Sequence, residues 1–459
     1  MKAPVLGHSA VGSPTDQLAT FVSDLDYDSI PPDAIAQAEN ILIDSIASAL
    51  AGRYGDETAQ IAAAGKALGG PGDTTVIGGA PLSLVGAVLL NGYQITAVTL
   101  CDMHIAALNH VTPGVVSPAL ALSEQMGVSG KQLIVALACG LESSVRIGLG
   151  INFSAFRNNG WHAPGVIGPL GSAATTGSLM GLDQAQMINA LGLAGSQSAG
   201  TYAAWGTPTV KFHQTRGGVS GLLAALLARE DFKSSQDILT HPDGGIFNTY
   251  SDGGDPSAML EDLGVHWRFG EVNLRRWPAA TQFQSIIEAT LDLVEAHDPV
   301  FEDIEKVSLH LPEDVFDAFG GFGWEDKFRA RLSPRFVAAV TLADRRCWVE
   351  QFQSERLADL KLTDFARDRV TVQADPSLTG VGARVEIRSG SDTLTAFCPV
   401  PKGDGTRPLT RDEIISKFHE ARRGVVSDPD ADRLLQGLTN LGDVDDVRPL
   451  IAFLGEAAA

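Results

Sequence analysis

GWHAPGVIGPLGSAATTGSLMGL (160–182) is a run in which almost every residue is small or apolar. Gly165, Gly168, Gly171, Ala173, Ala174 and Gly177 crowd into it, and residues that small let neighbouring backbones approach closely. The periodicity predicts a helix over 169–182. Upstream, GKQLIVALACGLESSVRIGLG (130–150) reads as a second long helix. Downstream, Asp183 stands as an N-cap before the apolar run of QAQMINALGLAG. The same spacing extends outward on both sides. DAIAQAENILIDSIASALAG (33–52) is helical with Gly52 as its C-cap, and LSLVGAVLLNGYQITAV (82–98) is apolar all round, as a buried helix is. VSPALALSEQM (116–126) and GGVSGLLAALLARED (217–231) complete the set. From about residue 15 to 265 the chain reads as a helical bundle.

After Val265 the pattern changes. FEDIEKVSLHLPE (301–313), RVTVQAD (369–375), GARVEIRSG (382–390) and TLTAFCPVP (393–401) alternate in the manner of strands. Helical runs at 283–297 and 333–346 interleave with them, and the tail, LTRDEIISKFHEARR (409–423) with ADRLLQGLTNL (431–441), is helical again. The fold class is mainly α. A large all-helical domain, 1–265 completed by 404–459, accompanies a smaller α+β domain, 266–403. KGDGTRP (402–408) is the linker, and the run SDGGDPSAMLED (251–262) reads as an acidic, solvated loop.

Composition narrows the function classes. The 459 residues carry 34 Lys+Arg against 55 Asp+Glu, a formal charge of −21. No basic field exists to neutralise phosphates, which excludes nucleic acid as a partner. Hydrophobic residues at 44% and charged residues at 19% are ordinary for a folded chain. The absence of a long uninterrupted apolar run argues against membrane partners, and the first seventeen residues carry no targeting pattern. Cys101, Cys139, Cys347 and Cys398 stand without paired spacing, which fits free thiols in the cytoplasm.

Three segments concentrate cationic and titratable side chains: LCDMHIAALNH (100–110), RNNGWHAPG (157–165) and TPTVKFHQTRGG (207–218). They bring Asp102, His104 and His110, then His162, then Lys211, His213 and Arg216 to what reads as the entries of three helices. Helix N-termini flanked by Gly and by cations favour anions, and histidine moves protons near neutral pH. An acidic chain with its cations gathered in this way points to an internal pocket for carboxylates. Taken singly, each histidine is as well explained as a core or surface residue. H-x5-H is not a zinc spacing, so no metal is expected. Dinucleotide, P-loop, nucleophile-elbow and H-E-x-x-H motifs are absent.

The long ordered agreement of EQMGVSGKQLIVALACGLESSVRIG (124–148), the 160–182 run, LGLAGSQSAG (191–200), Lys211-Phe212-His213 and PVPKGDGTRPLTRDEIISKF (399–418) resembles the MmgE/PrpD family. The family includes 2-methylcitrate dehydratase, cis-aconitate decarboxylase and iminodisuccinate epimerase. The resemblance implies a helical domain formed by both chain ends, an α+β lid, a homodimer and no cofactor. It implies His110 and His162 as the acid/base pair and Lys211 as a third catalytic residue. Asp102, His104, His213 and Arg216 are the expected substrate-binding residues. Departures accompany it. Thr99, Cys101 and Met103 fall where relatives carry two acids and a threonine, Ala280 and Thr281 near an expected lid histidine, and Phe336 where a lid tyrosine is expected.

The implied chemistry lies at a carbon next to a carboxylate of a small di- or tricarboxylate. A lyase, dehydratase or decarboxylase, is placed first. An epimerase acting on an iminodisuccinate-like polycarboxylate is the alternative, since it needs no acid for a leaving hydroxyl. A catalytically silent carboxylate-binding paralogue is the third reading. Retention of His110, His162 and Lys211 argues against it.

Overall fold

The computed structural model describes residues 12–455. The opening residues read for a targeting signal lie outside that range through residue 11. The chain forms two compact units. One runs through Ala97, resumes at Cys101–Val272 and is completed from Arg411 on; the other holds Val98–Leu100 and Asn273–Thr410.

The first unit opens with α1 (Pro14–Asp24), α2 (Pro32–Gly52) and α3 (Thr58–Gly69), then a small hairpin of β1 (Thr74–Val76) and β2 (Gly79–Leu82). There follow α4 (Leu84–Ala97), α5 (Thr112–Met126), α6 (Gly130–Gly150), α7 (Phe153–Asn158), α8 (Ala163–Leu179), α9 (Gln184–Gly195), α10 (Thr209–Arg229), α11 (Ile246–Ser251) and α12 (Pro256–Leu260). Helices α8 and α10 lie against each other, with α4, α5, α6 and α9 packed around them. Small residues make this possible. A Cβ on Gly221 of α10 would come 2.5 Å from the Ala173 amide nitrogen of α8. Helix α6 is long and apolar enough to cross a membrane by length and composition, but 89% of its apolar window is buried within the protein.

Several expected boundaries move. α8 begins at Ala163, not 169, and runs through Pro169. α10 begins at Thr209, not 217. Gly52 is the last residue of α2 and not its cap: the cap is Arg53, and Gly52 is small because a Cβ there would strike the Gln94 carbonyl of α4. The 251–262 run is not a solvated loop. It folds into α12, buries Met259, and offers carbonyls of Met259 and Glu261 to the fully buried Arg146 of α6 at 2.9 and 2.6 Å. Glu142, one turn earlier, pairs with Arg146 at 2.5 Å and accepts the amides of Arg268 and Phe269 at 3.1 and 3.0 Å. This buried pair holds 259–269 to the first unit, and the change to the second unit comes later in the chain than the periodicity places it.

The second unit contains α13 (Gln284–His297), β3 (Lys306–Leu311), α14 (Glu313–Phe319), α15 (Lys327–Arg331), α16 (Pro334–Asp344), α17 (Ser354–Leu357), α18 (Leu360–Asp368), β4 (Val370–Ala374), β5 (Ala383–Ser389) and β6 (Asp392–Cys398). Its sheet has the order β4-β3-β5-β6, with β3 parallel to β4 and antiparallel to β5. Val307, Leu309, Val385 and Ile387 are fully buried, the alternation of strands with one covered face. The tail helices α19 (Arg411–Ala421), α20 (Asp428–Leu438) and α21 (Arg448–Ala452) belong to the first unit. α19 docks on α2, where Lys417 meets Asp44 at 2.6 Å with both side chains buried.

Candidate active site

The first turn of α8 is built around a deliberate gap in its hydrogen bonding. Pro169 has no N–H to give to the carbonyl of Gly165, four residues back. That carbonyl accepts instead from the Ala199 amide at 3.2 Å and from Arg216 Nη2 at 3.0 Å. The segment after α9 is thereby drawn across the start of α8. There the His162 amide donates to Gly200 at 2.9 Å and the Tyr202 amide to Gly160 at 2.7 Å. His162 itself occupies the N-cap position with extended backbone, and its ring is buried.

Because α10 starts at Thr209, Lys211, His213 and Arg216 stand on its first two turns, not in an entry loop as expected. His213 Nδ1 lies 3.2 Å from His162 Nδ1, so one of the two nitrogens carries the proton and the other accepts it. Lys211 is buried, and its ammonium donates to the Ala97 carbonyl at 2.5 Å, where the C-terminal end of α4 favours a cation. Arg216 donates to Gln197, Ala199 and Gly165 carbonyls and to Ser220 Oγ, all at 3.0–3.1 Å.

The third segment is shaped by a buried carboxylate. Asp102 accepts from the Val111 and Thr112 amides at 2.7 and 3.1 Å and from Thr112 Oγ1 at 2.5 Å, capping the free N-terminus of α5. The backbone of the same residue fixes His110, whose Nδ1–H donates to the Asp102 carbonyl at 2.5 Å. That bond places a proton on Nδ1 and fixes the orientation of the ring. His104 is buried; its Nδ1 accepts the Ala107 amide at 3.1 Å, and its Nε2 faces Glu271 at 3.7 Å. The carboxylate of Asp102 and the guanidinium of Arg216 are thus engaged by the protein's own groups, whereas His104 Nε2 is buried with no hydrogen bond among the described residues.

Electrostatics favour the neutral form of three of these histidines. Burial, then the neighbouring His213, His110 and Arg157, push His162 down to about 3. Burial and Arg216 lower His213, and burial lowers His104 against the pull of Glu271. The cluster therefore gathers His110, His162 and His213 at the beginnings of α5, α8 and α10. Arg157 and Tyr202 were not singled out by sequence. The Arg157 guanidinium lies 3.1 Å from the centre of the Tyr202 ring, which neighbours His162. RNNGWH did carry the arginine, but spacing gives no sign that Tyr202 folds back over it. Among the described residues, no group of three or more His, Cys, Asp and Glu is placed to hold a metal ion.

In the second unit, Phe336 is fully buried between Trp324 and Phe352 at ring distances of 6.1 and 6.0 Å. Thr281 Oγ1 accepts from Arg275 Nε at 2.9 Å, and Ala280 is buried beside it.

Comparison with known proteins bears on both units. Residues 16–259 match the MmgE/PrpD N-terminal domain, and 277–441 match the MmgE/PrpD C-terminal domain. A cis-aconitate decarboxylase of Aspergillus terreus is 26% identical over 469 residues, covering 96% of this chain and 95% of that protein. The cis-aconitate decarboxylase-like protein oryM of Aspergillus oryzae is 26% identical, covering 96% and 97%. The human cis-aconitate decarboxylase is 22% identical, covering 96% and 94%. With both family domains matched in order along its length, the chain belongs to the MmgE/PrpD family.

Proposed function

We propose that the protein is a cofactor-independent lyase that decarboxylates a small tricarboxylate of the cis-aconitate kind. The observation that carries the reading is the contact of two neutral imidazoles, His162 and His213, at 3.2 Å, with His110 close enough to depress His162 further. Relatives that are cis-aconitate decarboxylases along nearly their whole length support the substrate class.

On cis-aconitate the chemistry balances as follows. The bond from the CH2 carbon to its carboxylate breaks and releases CO2. Its electron pair forms a new CH2=C double bond, and the pair of the former double bond takes a proton at the carbon beside the other carboxylate. The charge that develops is spread onto that carboxylate, where Lys211 stabilises it. A bound polyanion raises the pKa of every neighbouring imidazole, so the His162–His213 pair takes up a proton as substrate enters and delivers it to carbon. His110, its ring fixed through Nδ1 on the Asp102 carbonyl, is the second proton-transfer group. On this reading Asp102 holds His110, Arg216 holds the backbone around His162, and both act by positioning. Because CO2 leaves and no hydroxyl does, the reaction makes no demand for the phenolic acid that Phe336 lacks. That favours decarboxylation over dehydration.

The test is proton NMR of the purified protein in D2O with cis-aconitate, 2-methylcitrate, citrate and iminodisuccinate. Methylene alkene signals with CO2 release from cis-aconitate are expected. Deuterium entering an α-position with no net loss of substrate would establish the epimerase reading instead.

A further inference from the structure

We propose that Arg157 is a substrate-binding residue: its guanidinium grips, through two parallel hydrogen bonds, the carboxylate on the central carbon of the bound triacid. The proposal rests on the polycarboxylate reading above and goes beyond it in naming the cation and the carboxylate it takes. Two other cations stand near the histidine cluster, and the protein uses both. Lys211 is bonded to the Ala97 carbonyl, and Arg216 donates to four oxygens. Arg157 differs. Among the described residues it donates no hydrogen bond and forms no ion pair, and its guanidinium rests on the face of the Tyr202 ring, 3.1 Å from the centre.

That stack leaves the donors usable. At such a separation a guanidinium fits over a ring only by lying flat, which keeps its N–H groups in its own plane and pointing outward. Arg157 is half-buried, yet none of its three nitrogens is sealed from solvent. Tyr202 is a fixed platform beneath it. Its amide donates to the Gly160 carbonyl at 2.7 Å, and its ring stacks on Trp205 with centres 5.5 Å apart and planes 17° from parallel. The Tyr202 ring centre lies 6.3 Å from that of His162, and the Arg157 charge is close enough to help keep His162 unprotonated. Taken end to end, these spacings keep the guanidinium within reach of one small triacid whose other end meets the histidine pair. His162 and His213 each keep 8% of their surface exposed, and Trp161, Tyr202 and Trp205 beside them are half-buried, so a solute can approach from this side.

The reaction decides which carboxylate Arg157 takes. The one that departs as CO2 gives up its charge on the way to the transition state, so a cation upon it would hold the reaction back. The one beside the carbon that is protonated gains the developing charge and belongs to Lys211. The carboxylate on the central carbon keeps its charge throughout. A flat, pre-placed guanidinium fork matches it in shape and charge, and binds substrate and transition state alike. Arg157 therefore sets affinity and leaves the chemical step alone.

Tricarballylate without its central carboxylate is glutarate, so this pair of unreactive probes isolates the contact. Wild type, Arg157→Ala and Arg157→Lys are compared in thermal-shift titrations with both probes, and in turnover of cis-aconitate. For Arg157→Ala, tricarballylate affinity falls by about tenfold to a hundredfold, and the KM for cis-aconitate rises to match. Its kcat stays within about threefold, as loss of uniform binding requires, and glutarate affinity stays within about twofold. Arg157→Lys recovers only part of the loss, because an ammonium cannot make the paired bonds of the fork. An arginine that merely braced Tyr202 would weaken both probes together. Equal losses for the two probes, no loss for either, a fall in kcat at unchanged KM, or an Arg157→Lys variant equal to wild type each overturn the proposal. So does failure of both Arg157→Ala and Arg157→Gln to fold, because it marks Arg157 as a brace of the fold. A wild type indifferent to tricarballylate and cis-aconitate overturns the polycarboxylate reading itself, whereas a responsive wild type matched by Arg157→Ala overturns Arg157 alone.

Discussion

At the scale of single residues, the candidate site is a set of histidines, among them His162 and His213 whose protonation burial opposes, surrounded by side chains hydrogen-bonded to the protein itself. His162 shows what that costs. Its folded pKa of about 3 lies below the ordinary 6.5, so the unfolded chain binds the proton more readily. Stability from keeping the ring neutral is complete above pH 6.5 and is lost progressively as the pH falls toward 3, at up to about 1.4 kcal/mol per pH unit. A denaturant midpoint that drops between pH 7 and pH 4 in wild type, and drops less in His162→Gln, is the expected result; parallel profiles would refute it. Arg216 supplies the second prediction. Arg216→Met leaves the Gly165, Gln197 and Ala199 carbonyls without their cation, and a loss of roughly 3 kcal/mol follows. The defect in turnover falls on kcat more than on KM, because Arg216 positions His162 and His213. Lys at 216 rescues neither, since one ammonium cannot span the four oxygens that the guanidinium fork reaches. A KM-only effect rescued by Lys would return Arg216 to the substrate.

At the scale of elements, α8 and α10 are the frame, and they touch through small residues. Gly221→Ala gains about 1 kcal/mol of helix propensity, but its methyl would lie 2.5 Å from the Ala173 nitrogen and 2.5 Å from the Pro169 carbonyl. Backbone cannot swing aside as a side chain can, so a net loss of about 1–3 kcal/mol is expected. At Gly168 the nearest heavy atom to a Cβ is 3.5 Å away, an ordinary contact, so Gly168→Ala is neutral or stabilising by up to about 1 kcal/mol. Urea unfolding of the pair checks the contrast; equal losses would mean that packing between these helices tolerates no methyl anywhere. The same two helices show what the sequence discloses and what it hides. Their apolar periodicity reads correctly from 169 and from 217. Their first turns do not, because Pro169 looks like a start signal when it is an interior residue with a purpose, and because Lys211, His213 and Arg216 look like loop polarity. The histidines of the cluster were legible as residue types at helix beginnings. The service of Asp102 as a remote cap of α5 was not, since its partners Val111 and Thr112 become neighbours only through the turn of the loop.

At the scale of the whole molecule, the strands at 306–311, 370–374, 383–389 and 392–398 all lie where alternation predicts them, while the parallel pairing of β3 with β4 depends on a connection no local pattern encodes. Closure of the first unit by the chain's distant end is also a long-range matter, and it turns on ion pairs. Arg411 meets Glu39 at 2.9 Å, and Lys417 meets Asp44 at 2.6 Å, with 3% and 2% of those last two side chains exposed. Such a pair gives little net stability over apolar residues of the same shape, because both charges lose their hydration. Breaking it from one side is different. Lys417→Met leaves the Asp44 carboxylate buried with its counter-ion removed, and a loss of about 3–5 kcal/mol is expected. Asp44→Leu with Lys417→Met removes both charges, and most of that loss returns. Denaturant unfolding of wild type, the two single variants and the double variant gives the coupling directly. If the double variant is as unstable as the sum of the singles, the tail is held by packing of α19 on α2 alone. If it recovers, the pair acts by discriminating one docking of the tail from others, since a mispaired tail would strand Asp44 as surely as the methionine does.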